Sequence, residues 1–330
     1  MLNLLVKLIV GATLILLWLW CSVAIYFMGL PGEKLPVIAT SLFAFNLPLL
    51  VIFMPNRKYG FFVAFGLCIM VLLYWTRIKP SHDRNWMPSV ARLPTASIED
   101  NRVHIVNIRN FDYRTENDFT IRYYDKTYDL NTLKSVDYIL SYWDGNKAIA
   151  HTLLSFGFAK GDHLVVSVET RLEKNEVQSG LGGLFKQYEL IYVLADENDI
   201  LRLRTNFRKE AVYLYPTTLD KTTIQKLFII VINSVNKIKE QPEFYNTITE
   251  NCLTSLTSKF RKEINPDAGF DYRRLVNGFS DEMLFDNGKI ASTLDFKATK
   301  RRCYINQYVS GIAAVTDYSR KIRPYLDSKK

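Results

Sequence analysis

A cysteine acts as a nucleophile only as a thiolate, so its surroundings decide whether it does chemistry. Cys252 follows Asn251, a good helix N-cap, and opens the stretch Asn251–Lys262, where Leu253, Leu256 and Phe260 recur at helical spacing. That spacing places Cys252 in a first helical turn, where unpaired backbone N–H groups and the helix dipole favour a thiolate. A lone cysteine is more often a small buried apolar residue, so the argument needs a base. The chain offers four histidines. His82 lies in the membrane-proximal linker, His104 in an early strand and His163 beside the turn Gly161-Asp162, while His151 heads the apolar run His151–Phe158. Taken singly, His151 reads equally well as a hydrogen-bonded interior histidine. Glu169 falls on the polar face of the next strand, where it can orient an imidazole or simply pair with Arg171 as a surface carboxylate. Together the three supply a histidine, an acidic orienter and a cysteine at a helix start, the parts of a thiol catalytic triad.

These residues need a scaffold. Between Trp86 and Pro216 the chain predicts strands at Val103–Arg109, Phe119–Tyr124, Val136–Tyr142, His163–Thr170, Tyr188–Ala195 and Ala211–Tyr215. In the fourth, Leu164, Val166 and Val168 alternate with Val165, Ser167 and Glu169, as in a strand with one apolar face. The run that begins at His151 is an apolar stretch interrupted by turn residues. Asp144-Gly145-Asn146 and Lys160-Gly161-Asp162 mark turns. After Pro216 the texture becomes helical: Thr222–Lys239, Asn251–Lys262 and a region around Gln307–Ile322. The fold class is α+β, a strand-rich half followed by a helical half.

The residues before this domain are of another kind. Three uncharged runs, Leu8–Leu30, Leu35–Met54 and Tyr59–Thr76, hold 23, 20 and 18 residues, long enough or nearly so to cross a bilayer. Residues 1–79 are therefore expected to be a three-helix membrane anchor and residues 80–330 the catalytic domain. The first run is too long for a signal peptide and lacks a small-residue cleavage site. Asn46 and Pro48 read as tolerated packing features of the second run. The net charge of +9 splits into +5 over the first 79 residues and +4 over the remaining 251. Such a mildly basic domain with interspersed signs argues against nucleic acid as a partner. Lys7, Arg57 and Lys58 put the amino terminus and second turn on the cytoplasmic side and the large domain across the membrane. Cys21 and Cys68 lie in spans, which leaves Cys252 and Cys303 in the domain and no disulfide framework.

Ala150–Gly157, Ser167–Arg171, and Phe244-Tyr245-Asn246 leading to Asn251-Cys252-Leu253-Thr254 resemble the periplasmic domain of the Lnb-type bacterial lipoprotein N-acyltransferases. With the supporting segments Tyr188–Asp199 and Ala211–Pro216, the resemblance covers roughly residues 85–325. It implies a permuted papain-like (NlpC-type) domain in which histidine precedes cysteine. It also implies transfer of an acyl chain from a phospholipid to the N-terminal cysteine amine of a lipoprotein. By the same match Cys252 is the nucleophile and His151 the base, with Glu169 as third member. Asn251 is assigned to oxyanion support, and Tyr245, Ser155 and Arg171 to substrate contact. One departure stands out: the family's better-known architecture has its spans after the catalytic domain, whereas here they precede it. The expected setting is the bacterial inner membrane, multi-pass, with the domain in the periplasm.

A membrane-anchored peptidase or amidase acting on peptidoglycan or peptides would use the same three residues, and a silent binding module would need none of them. Three spans favour the lipid donor, since a wall hydrolase needs one anchor only. No cofactor is called for, and no cluster has zinc or calcium spacing. Ser179–Phe185 is glycine-rich without a phosphate-loop Lys-Ser/Thr pair and is expected to be a flexible loop or an apolar lid, with Trp86 and Gly180–Phe185 as neighbours of lipid. Lys300-Arg301-Arg302 and Arg320-Lys321 with Arg323 read as solvated faces.

Overall fold

The apolar sequence before residue 80 forms three helices in the computed structural model, which describes residues 2–143, 145–252, 254–256, 271–274, 276–309 and 317–324. These are α1 (Leu2–Tyr26), α2 (Lys34–Phe53) and α3 (Arg57–Arg77), each long and apolar enough to cross a membrane. Their outward faces leave residues such as Leu8, Phe45, Phe53 and Phe62 exposed, as lipid-facing surfaces require. Gly60, Ala64 and Cys68 form the buried stripe of α3. A Cβ on Gly60 would stand 3.0 Å from the Leu50 carbonyl oxygen, so the small stripe is what lets α3 approach α2. Asn46 donates back to the Leu42 carbonyl oxygen at 2.7 Å, which satisfies its amide inside its own helix.

The domain is built on a mixed sheet that is eight-stranded among the described residues, in the order β1-β2-β9-β8-β7-β6-β10 with β5 paired to β2. The strands are β1 (Thr95–Glu99), β2 (Arg102–Arg109), β5 (Tyr123–Asp129), β6 (Leu133–Tyr142), β7 (His151–Phe158), β8 (His163–Arg171), β9 (Glu189–Ala195) and β10 (Ala211–Pro216). A small separate pair, β3 (Asp112–Tyr113) and β4 (Phe119–Thr120), interrupts the single strand expected over Phe119–Tyr124. Neighbours pair antiparallel except β2 and β9.

Two cores sandwich the sheet. On one face α4 (Lys221–Glu240) lays Ile224, Leu227, Phe228, Val231, Val235 and Ile238 against Leu154, Phe156, Leu164, Val166 and Val168. Asp220 caps α4 by accepting from the Thr223 N–H at 3.0 Å. On the other face Leu153, Val165, Ile191 and Val193 meet Ile305, Val309, Tyr318 and Ile322. β8 is thus buried on both faces, Val165 and Ser167 included, instead of having one apolar and one polar face. The run beginning at His151 is a full central strand. With both of its faces covered it carries no alternation, and Gly157 serves close packing, since a Cβ there would lie 2.4 Å from Ser135 Oγ.

The helix expected from Asn251 is described only through Leu256; Leu253, Phe260 and the rest of that stretch lie outside the described residues. So does the middle of the Gln307–Ile322 region, whose flanks are the helices Asn306–Val309 and Tyr318–Lys321.

Candidate active site

Alternation along β7 decides which side chains meet. Leu153 packs in the second core and Leu154 in the first, so His151 shares the face of Leu153 and Ser155, while Ala150 faces the first core. In β8, Ser167 and Glu169 share the face of Val165. The register sets Leu153 opposite Ser167, so the imidazole at the start of β7 reaches diagonally across the strand pair. His151 Nε2 lies 2.7 Å from Ser167 Oγ, Ser167 donates to Glu169 Oε1 at 2.8 Å, and the imidazole is 3.8 Å from the carboxylate. Because the serine proton goes to Glu169, its oxygen accepts from His151. The hydrogen-bond pattern therefore assigns the Nε2–H tautomer and leaves the lone pair on Nδ1.

Arg204 holds the far end of this chain. It is carried on a π-helical turn, Leu203–Phe207, and donates to Glu169 Oε1 at 3.2 Å and to Glu210 Oε2 at 2.9 Å. Ser141, the register partner of His151, donates to the same Glu210 carboxylate. Burial, followed by the positive charge of Arg204, presses the His151 imidazolium down to about 3. Burial alone would raise Glu169, but Arg204, then His151 and Arg109, with the Ser167 hydrogen bond, hold it at about 2. At neutral pH the site contains a neutral imidazole beside a fixed carboxylate.

His151, Glu169, Arg204 and Glu210 line a cavity of about 420 Å³ whose walls also include Met87, Trp143, Arg208 and Tyr245. Trp143 stands edge-on to His151 at 6.5 Å. Burial raises the Tyr245 phenol, and the charges of Cys252 and Glu169 raise it further.

Cys252 is buried, 5% exposed, and packs in the first core. Its Sγ meets the Ala150 carbonyl oxygen at 4.0 Å and the Asn277 amide nitrogen at 3.6 Å. The cysteine thus lies against the residue next to His151, at the end of the same strand, and is not among the cavity-lining residues. His151 and Glu169 are brought together through Ser167; Cys252 lies on the first-core face, against Ala150 and Asn277. Asn277 joins the parts. It accepts from the Ala150 N–H at 3.0 Å and donates to the Ala150 carbonyl oxygen, clamping both backbone groups of that residue.

Asn251 caps the turn: its Oδ1 accepts from the Thr254 N–H at 2.9 Å, and the Ser255 N–H bonds the Asn251 carbonyl oxygen at 2.9 Å, the first helical bond. Its amide nitrogen donates to the Thr247 carbonyl oxygen at 2.8 Å. Asn251 therefore shapes the helix start and is not placed as an oxyanion donor; the amide that reaches the sulfur is Asn277.

Four further expectations are corrected. Ser155 is fully buried and donates to Glu197 Oε1 at 2.5 Å, in a cluster with Asp137, His163 and Arg323, and does not line the cavity. Arg323 is itself buried there, 3.0 Å from Asp137 Oδ2 through Nε and 2.8 Å from Glu197 Oε2 through Nη1, so it is no solvated cation. Its guanidinium occupies the space between the acidic groups. Arg171 is buried as well: it stacks 4.1 Å from the Trp86 ring and donates to the Val90 and Ala91 carbonyl oxygens at 3.0 and 2.7 Å. It straps the membrane-proximal linker to the domain, and Trp86 beneath it is buried rather than a neighbour of lipid. Ser167, Arg204 and Asn277 escaped the sequence reading. Ser167 sat in a quoted motif at i−2 from Glu169, the one spacing that could have found it.

The arrangement is that of an α+β domain preceded by three apolar helices, with a histidine–serine–glutamate chain whose histidine and glutamate line a cavity and a buried cysteine against Ala150. Residues 120–278 match the family described as the Lnb N-terminal periplasmic domain. The match spans His151, Ser167, Glu169, Cys252 and Asn277, and with the three apolar helices it fits an inner-membrane protein. Comparisons with curated proteins and with solved structures find no match.

Proposed function

We propose that this protein is a lipoprotein N-acyltransferase of the bacterial inner membrane, its domain permuted papain-like and periplasmic, moving an acyl chain from a phospholipid to a lipoprotein's N-terminal cysteine amine. The observation that carries the reading is the hydrogen-bond chain from His151 through Ser167 to Glu169 in a cavity whose wall adjoins Cys252.

The thiol turns from the Ala150 carbonyl toward the cavity and gives its proton to His151 Nδ1. Sulfur attacks the ester carbonyl carbon, and the imidazolium that forms is stabilised by Glu169 through Ser167. The tetrahedral intermediate expels the lysophospholipid alkoxide, which takes the proton from His151, leaving an acyl-thioester on Cys252. A neutral α-amine then attacks, His151 accepts its proton, and the amide departs as the thiolate leaves and is reprotonated. Water must be kept out of the second half, or the enzyme becomes a phospholipase. No cofactor enters this scheme.

Mass spectrometry of the protein purified from membranes tests it. A hydroxylamine-sensitive acyl adduct on Cys252, absent from Cys252→Ala, is expected; an adduct elsewhere with Cys252 unmodified overturns it. The charged walls supplied by Glu116, Arg208 and Glu210 also suit a peptide, which favours a second reading, a cysteine peptidase or amidase with the same residues.

A further inference from the structure

A piece of the domain lies at the depth of its own membrane helices. Gly180–Leu184, expected as a loop or lid, is a short helix capped by Ser179, and Phe185 at its end packs on α1, with ring centroids 5.6 Å from Trp20 and 5.9 Å from Phe27. Trp20 stands six residues inside the end of α1, about 9 Å along the axis at ~1.5 Å per residue. It meets Trp75 of α3 edge-on at 5.2 Å. The next domain residue, Lys186, holds its ammonium 4.1 Å from the Trp75 ring and donates to the Trp75 carbonyl oxygen at 3.1 Å. Paired tryptophans near helix ends mark the lipid–water interface.

The same segment carries exposed aliphatic side chains. Val177 is 82% exposed, Leu181 57% and Ile248 57%. They belong to one unit: the Tyr188 hydroxyl donates to the Val177 carbonyl oxygen at 2.7 Å, and Thr247 Oγ1 donates to the Gly180 carbonyl oxygen at 2.8 Å. A Cβ on Gly183 would stand 2.4 Å from Thr247 Oγ1 and 3.3 Å from the Tyr245 ring, so absence of a side chain is what lets the two segments of this unit close on each other. Single exposed aliphatics are ordinary; three on a unit continuous with a membrane anchor are a surface. Gln178 and Tyr245, from the same unit, line the cavity.

We infer that Val177–Lys186 and Phe244–Ile248 form a shoulder seated in the interfacial layer of the bilayer, with Val177, Leu181 and Ile248 inserted among lipid, so that the cavity rim opens at the membrane surface. The occupant of this apolar surface is lipid, by continuity with the helix bundle on which Phe185 and Lys186 rest. The inference does not depend on the acyl-transfer reading, and its test reads no activity.

The full chain is reconstituted into phosphatidylcholine vesicles with a nitroxide at Leu181→Cys, Ile248→Cys or Lys160→Cys, the last an exposed residue of the β7–β8 turn. The four native cysteines are buried, and labelled wild type serves as blank. Power saturation compares collisions with oxygen, which concentrates in lipid, and with a water-soluble nickel chelate. At 181 and 248 oxygen is expected to exceed nickel several-fold, with the reverse at 160. Nickel accessibility at 181 and 248 equal to that at 160 overturns the inference. So does shielding from both quenchers, which would assign the surface to a protein partner. Should a cysteine variant fail to fold, Leu181→Trp read by quenching with dibrominated phosphatidylcholine gives the same decision.

Discussion

His151 Nε2 lies 2.7 Å from Ser167 Oγ, and the serine hydroxyl in turn donates to Glu169, so the carboxylate acts on the imidazole chiefly through a hydroxyl. This fixes the Nε2–H tautomer and leaves Nδ1 as the basic nitrogen. It also ranks the residues. Ser167→Ala removes the acceptor that orients the ring and is expected to lower kcat by roughly 10–100-fold with little change in KM, inside the ~10²–10⁴ that a positioned base supplies. Ser167→Thr keeps the hydroxyl and should recover most of the rate. Steady-state kinetics of the two variants checks this.

Glu169→Gln should impair turnover less than Cys252→Ala, because orientation is more replaceable than a nucleophile. Triad members act non-additively, so the double variant is expected to be no worse than Cys252→Ala alone. Single-turnover assays of the three proteins supply the comparison.

The acid side of the pH profile should lie far below the usual histidine range. Burial and then Arg204 depress the His151 imidazolium to about 3, so the base stays neutral as pH falls from 7 to 5, and kcat/KM is expected to hold over that range. Arg204→Met removes the repelling charge and should move the acid limb upward. Stability follows the same sign. The unfolded imidazole binds a proton below about 6.5 and the folded one resists it, so the stability from a neutral His151 is present above about 6.5 and declines as pH falls toward 3. Glu169, held at about 2, contributes stability above its unfolded value and loses it as pH falls through about 2. A melting temperature that falls progressively below pH 6.5 is expected from thermal scans.

Asn277→Ala leaves the Ala150 N–H and carbonyl without their partner and withdraws the amide from Cys252 Sγ. Each buried backbone group left unpaired costs about 1–3 kcal/mol. The expected outcome is a destabilised protein whose Cys252 is alkylated faster by iodoacetamide than wild type under native conditions; unchanged melting and alkylation would show that the clamp carries nothing.

Legibility from sequence followed the physics of each element. The three apolar helices are legible because length and lack of charge suffice, and α4 because its apolar spacing is helical over its whole length. β7 was obscured by being covered on both faces, which erases alternation, and Gly157 looked like a turn signal although it serves close packing. Cys252, His151 and Glu169 stand out as candidates by residue type and order, and the structure joins His151 to Glu169 through Ser167. Arg204 and Asn277 were not, because a positioning arginine on a π-helical turn and an asparagine bonded to a distant backbone have no local signature. Ser155 and Arg171 were misassigned because proximity in a motif says nothing about the face a strand residue takes.

The central claim is acyl transfer through Cys252. The direct measurement incubates the reconstituted chain with phospholipid labelled in its acyl chains and a diacylated lipopeptide bearing a free N-terminal amine. The account predicts label on the peptide amine, an equivalent amount of lysophospholipid, ping-pong kinetics, and none of these with Cys252→Ala. Label that never leaves the phospholipid, with peptide bonds of a cell-wall substrate cut instead, would contradict it and establish the peptidase reading.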